Sequence, residues 1–180
     1  MKFMLLASAV IIFLFSSASR VWSEDGIAEF NGEVQAATCK INGEYTSEPS
    51  FLVKLGNFPA GAFRQVGGTP TMTKKYQIKL TDCTPEFGRV TVYFEPGATT
   101  DPEDGDLINT GTARNVELVL MNDDFTKINL AGGRGAQNSK QFNIVNGSAV
   151  LTYFAGYVAT SLPVVAGSFS TSTTYVLDFE

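Results

Sequence analysis

The 180-residue sequence contains no histidine. Without it, the Ser-His and Cys-His pairs that carry most nucleophilic catalysis cannot be built. The usual imidazole ligand of zinc is missing too, and two cysteines, Cys39 and Cys83, are too few to complete a metal site. Charge is sparse and mostly acidic: 13 Lys and Arg stand against 18 Asp and Glu, a net of −5. A chain of that balance, with no basic stripe, is not built for nucleic acid. No stretch carries a convincing amphipathic helical pattern, and there is no internal repeat and no linker. After residues 4–15 no apolar run approaches membrane-spanning length. Carboxylate pairs remain conceivable, but nothing in the sequence places two of them in a cleft. Neither an enzyme nor a cofactor is expected.

The apolar run of residues 4–15 follows Lys2 and precedes Ser16, Ser17, Ala18 and Ser19. Residues 1–23 therefore read as a secretory signal, with cleavage expected before Glu24 and a second candidate position after Ala18. Removing 23 residues from 180 leaves 157, one domain of ordinary size. Dropping Lys2 and Arg20 leaves 11 basic residues against 18 acids, a net of −7. The mature chain is expected to be exported, with no membrane insertion. In an exported chain an isolated pair of cysteines reads as a disulfide, Cys39–Cys83. Closing a loop of that size stabilises a fold by up to about 4 kcal/mol on the chain-entropy account.

The rest of the chain reads as short strands. Tyr76, Ile78 and Leu80 alternate with Gln77, Lys79 and Thr81; Val90, Val92 and Phe94 alternate likewise, as do Val116, Leu118 and Leu120. Residues 149–157 are apolar on both faces, as in a central strand. Phe51, Val53 and Leu55 predict a short strand ending at Gly56. Turn signals fall between these runs at Gly67 and Gly68, Thr84 and Pro85, Asn122 and Asp123, and Asn146 and Gly147. The fold class is all-β, a sandwich. The acidic cluster Asp101, Glu103, Asp104 and Asp106 lacks the alternation of a calcium loop and reads as a solvated turn. The run Gly132, Gly133, Arg134, Gly135 lacks the Lys-Ser/Thr ending of a phosphate loop.

Residues 167–180 close the chain with a strand pattern. Phe169, Tyr175, Leu177 and Phe179 fall on odd positions, with Val176 the exception on the even ones. This ending resembles the C-terminal strand of chaperone–usher pilus subunits, in which a glycine stands fourteen residues from the end and an aromatic is penultimate. Gly167 and Phe179 match. Residues 24–41 resemble the start of the same family, with Gly26, Phe30, Gly32, Val34 and Cys39 matching and Ala28 where a larger aliphatic is common.

The resemblance implies an incomplete immunoglobulin-like β-sandwich completed by donor-strand addition: residues 1–23 the signal, 24–35 the N-terminal donor-strand extension, 36–180 the pilin domain. Gly26, Ala28, Phe30, Gly32 and Val34 form the donor face. Gly167, Phe169, Tyr175, Leu177, Phe179 and Glu180 form the C-terminal strand that a periplasmic pilus chaperone pairs with, the carboxylate of Glu180 being held by basic chaperone residues. The implied partners are that chaperone, an outer-membrane usher and neighbouring pilus subunits. The chain would pass through the periplasm into fimbriae on the bacterial surface and serve cell adhesion there. The alternative reading is a complete, secreted, monomeric β-sandwich that binds carbohydrate.

Overall fold

The computed structural model describes residues 38–44 and 50–180. The expected signal and donor face lie outside the described residues. Among those described, nine strands make two antiparallel sheets. The first sheet has the order β1-β2-β8-β5-β4, with β6 also pairing β5. Its strands are β1 (Thr38–Ile41), β2 (Thr71–Thr84), β4 (Leu107–Ile108), β5 (Val116–Asn122), β6 (Lys127–Ile128) and β8 (Ala149–Ala159). The second sheet has the order β7-β3-β9, from β3 (Gly88–Glu95), β7 (Gln141–Ile144) and β9 (Thr174–Phe179).

Period-two patterning explains most of this. In β8, Leu151, Tyr153 and Ala155 point into the sandwich and are fully buried. The opposite face, with Phe154 and Val158, packs in a smaller cluster with Val119 and Met121 of β5. Burial on both faces makes β8 the centre of its sheet, paired by β2 on one side and β5 on the other. Asn146 and Gly147 both have positive φ, 50° and 68°, so the chain passes from β7 in one sheet to β8 in the other through a tight two-residue turn closed by the Val145↔Ser148 bridge.

The two sheets meet on Ile78, Leu80, Leu151 and Tyr153 from one side and Val90, Val92 and Phe94 from the other. Tyr153 is the hub. Its ring lies 5.7 Å from Tyr76, 5.8 Å from Phe94 and 5.6 Å from Phe142, joining strands of both sheets. The Cys39–Cys83 disulfide ties β1 to the end of β2.

Three expectations are corrected. Residues 51–55 form no strand. The alternation is there, but among the described residues no backbone hydrogen bond joins residues 50–58 to another segment, and a strand needs a ladder partner. The C-terminal strand is shorter than residues 167–180: Gly167 and Phe169 precede it, in a stretch whose Ser168 and Ser170 carbonyls are bonded to a loop rather than to a sheet. The acidic turn is not wholly solvated either. Asp106 is 3% exposed and its carboxylate meets Lys127 Nζ at 2.7 Å, which offsets part of the cost of burying the charge.

Gln137 shows how an irregular loop is locked to the core. It is 2% exposed; its Oε1 accepts from Phe94 N–H at 3.0 Å, and its Nε2 donates to the carbonyls of Phe94 and Leu130. Gln137→Leu would keep the volume but leave three buried backbone groups unpaired. We expect a loss of about 1–3 kcal/mol in chemical denaturation. A loss below a few tenths would mean that those groups find other partners.

Candidate functional site

The site is an edge. β9 pairs with β3 from Val90↔Phe179 to Glu95↔Thr174, and among the described residues no strand pairs its other side. An unpaired edge presents a row of free N–H and C=O groups to any extended chain. Beside it the core is only partly covered. Phe169, Tyr175, Leu177 and Phe179 are half-buried and packed against the main cluster, as are Leu55, Phe58 and Phe63 from the segment before β2. Phe51 crosses the gap between the sheets, its ring 6.0 Å from Tyr76 of β2 and 5.8 Å from Tyr175 of β9.

Clefts open at both ends of this groove. One, of about 470 Å³, is lined by Phe58, Phe63, Tyr157, Val164 and Phe169. The other, of about 230 Å³, is lined by Cys39, Cys83, Ile144 and Phe179. The groove is thus apolar along its floor, open at both ends and flanked by backbone on β9. Such a shape accepts an extended peptide with alternating apolar residues.

The expected C-terminal residues divide into two groups. Tyr175, Leu177 and Phe179 lie on β9 opposite Phe94, Val92 and Val90. Glu180 continues the ladder by reciprocal 2.9 Å bonds with the Arg89 backbone, and its side chain receives Gln141 Nε2 at 2.9 Å. Gly167 and Phe169 belong instead to a stretch stitched to the loop before β5. Ala113 N–H donates to the Ser168 carbonyl and Thr110 N–H to that of Ser170. A Cβ on Gly167 would stand 2.4 Å from the Ala113 nitrogen and 2.6 Å from Thr112, so only glycine fits there. Phe169 then meets Tyr157 edge-on at 5.0 Å.

Two features were not legible from sequence. Arg134, in the glycine-rich run, reaches over the Tyr93 ring at 5.1 Å and pairs with Asp178 of β9 at 2.8 Å. It braces the outer face of the strand whose far edge is open. In the acidic turn, the carboxylates of Asp101, Asp104 and Glu117 lie within 4.8 Å of one another. Partial burial, then the neighbouring acids Asp104, Asp101 and Asp106, push the Glu117 carboxyl up to about 7. Burial likewise pushes Asp106 up to about 6, against the pull of Lys127. For the carboxylates the sequence shows only that acids cluster, which does not say which of them become buried; for Arg134 it shows nothing, because Tyr93 and Asp178 lie far from it along the chain.

Known proteins resemble this chain in sequence and fold. Residues 55–180 match the family described as FimA, type-1 fimbrial protein, A. The major fimbrial subunit SMF-1 of Stenotrophomonas maltophilia is 36% identical over 144 residues, spanning 76% of this chain and 82% of the relative. The F17 fimbrial protein of Escherichia coli is 32% identical over 172 residues, spanning 92% and 93%. Among solved structures, the P pilus rod subunit PapA superposes with a TM-score of 0.53 at 19% identity, over 86% of this chain and 100% of that one. An antigen and type I fimbria protein of Burkholderia pseudomallei gives a TM-score of 0.53 at 25% identity, over 79% and 94%. The sandwich is accordingly the immunoglobulin-like one of pilus subunits.

The raised carboxyls set a pH dependence. Both bind protons more tightly in the folded chain than in the unfolded one, so their contribution to stability is full below about pH 4 and lost as pH rises through about 6–7. The difference in melting temperature between the protein and a Glu117→Gln variant should therefore widen from pH 5 to pH 8, the variant being the more stable at pH 8. Parallel melting curves across that range would show that Glu117 titrates normally.

Proposed function

The chain belongs to the type-1 fimbrial protein family and is a structural subunit of a pilus with a role in adhesion, and we propose that it polymerises by donor-strand exchange. The observation that carries this reading is the free edge of β9 above half-buried Tyr175, Leu177 and Phe179. Residues 24–35 of a neighbouring subunit are the donor. Gly26, Ala28, Phe30, Gly32 and Val34 share one face of an extended strand, with Phe30 the largest side chain for the groove floor. The donor also explains residues 51–55. Their strand pattern lacks a partner among the described residues, and a segment laid between them and β9 offers its two edges to both.

Before assembly the same edge needs a substitute, which a periplasmic chaperone supplies by pairing with β9 and holding Glu180. An outer-membrane usher is then the place of exchange, after which the subunit is a component of the surface pilus. An edge of this kind, left uncovered, invites aggregation. A contact in which each copy donates at one place and accepts at another does not close, so it propagates as a filament.

The test supplies the strand in cis. Residues 24–35 are copied after Glu180 through a short flexible linker and the original extension is removed. The tethered segment acts at high effective concentration. The fusion should be a monomer that melts well above the unfused domain, and Phe30→Asp in the copy should abolish the gain by placing a charge on an apolar floor. Equal melting of fused and unfused chains would end the proposal. In the export pathway, Phe179→Ser removes a half-buried anchor worth about 1.5 kcal/mol. The amount of subunit recovered with its chaperone should fall, and an unchanged amount would separate β9 from chaperone capture.

A further inference from the structure

Exposed large apolar residues gather at the two ends of the sandwich. At one end are Phe87, 62% exposed, and Val145, 54% exposed. They flank the last register pair of β3 and β7, Gly88↔Ile144, and so stand opposite one another. Their turns are tied together by Gly147 N–H donating to the Glu86 carbonyl at 2.8 Å. At the other end, Leu162 and Val165 are 42% and 48% exposed in the loop after β8, and Val66 is 57% exposed beside it, where Gly67 N–H bonds the Ala159 carbonyl. Isolated exposed apolar residues are ordinary; two clusters at opposite poles are not.

The unpaired charges beside the two apolar clusters are opposite, although the Asp101, Asp104 and Glu117 carboxylates also lie toward the Val165 pole. Glu86 adjoins Phe87 and has no ion-pair partner among the described residues, whereas its neighbours Lys40 and Asp82, and Arg89 and Glu180, pair with each other. At the far pole Arg64 and Arg114 are exposed, and Arg114 meets no acid, only the carbonyls of Gly111 and Ala113.

We propose that these poles are the two halves of a subunit–subunit contact, Phe87, Val145 and Glu86 of one copy docking on Leu162, Val165 and Arg64 of the next. The proposal rests on the donor-strand reading, which fixes where the ends go. β1 begins at Thr38, paired with Thr84, at the same pole as Phe87. Residue 35 ends the donor, and three residues reach at most ~10 Å. Every described strand pair is antiparallel. A donor antiparallel to β9 starts beside Phe179 and ends beyond Thr174, at the Phe169 end, next to Val165. The Phe87 pole of the donating copy, with Glu86, is therefore delivered to the Val165 pole of the accepting one, with Arg64 and Arg114. A parallel donor would bring two Phe87 poles, and their unpaired Glu86 carboxylates, together.

The test uses the full-length chain, assembled into polymers. Val145→Cys and Val165→Cys are introduced together, and mild oxidation follows assembly. A ladder of covalent multimers after boiling in denaturant is expected; a control pair, Val150→Cys with Val165→Cys, should give none. Monomer alone from intact polymers overturns the contact. So does a ladder of equal strength from the control.

Charge reversal gives a second readout. Glu86→Arg or Arg64→Glu alone should weaken docking, and hence filament stiffness in electron micrographs, by roughly two- to fivefold, and the double reversal should restore it. Singles that leave stiffness unchanged, or a double that is no better than either, overturn the pairing. Melting temperatures matching the parent show that the variants fold. Failure of the donor-strand reading looks different: a Phe30→Asp chain that still polymerises refutes that reading, whatever the ladder shows.

Discussion

A β-strand with one side unpaired among the described residues governs this molecule. Three strands suffice to cover most of one side of the core, and β9 is the last of them, so both its outer backbone and the apolar groups beside it stand open. The rest of the chain is built to keep that edge straight and in register. Phe94, Val92 and Val90 hold it from within, Arg134 and Tyr93 brace it from outside, and the loop before β5 fixes the approach to it. The incompleteness is local. Tyr153 and the aromatic rings around it still join the two sheets into one core.

Much of this fold could be read from periodicity. The strands at Tyr76, Val90 and Val116 lie where alternation put them, and residues 149–157 where a run apolar on both faces put a central strand, because each has one or both faces in the core. The two-residue strands β4 and β6 carry no such pattern and depend on β5 lying next to them. Phe51, Val53 and Leu55 carry the pattern without the strand, since alternation records which side is apolar and says nothing of whether a backbone partner is present.

The site itself was legible only in part. Tyr175, Leu177 and Phe179 announce a half-buried face, but sequence gives no sign that Phe58, Phe63 and Phe51 come round to line the same groove, because that approach is made through an irregular segment. The acidic turn misled for a related reason. Four acids in six residues read as solvated, yet the pairing of β6 with β5 brings Lys127 over Asp106 and allows its burial. Long-range pairing decides which charge is covered, and composition cannot.

Gly167 and β9 are held at two fixed stations, one against Thr112 and Ala113 and one at the Glu95↔Thr174 pair. The residues between them act as a ruler. Deleting or inserting one there would either tear the stretch from the loop or slide β9 by one position, and a slide of one turns every groove-facing side chain to the opposite face. The spacing between a glycine and an aromatic near the end of such a chain is thus a length set by the subunit's own architecture. Any partner that reads the end of the strand is reading a distance the fold has already measured out.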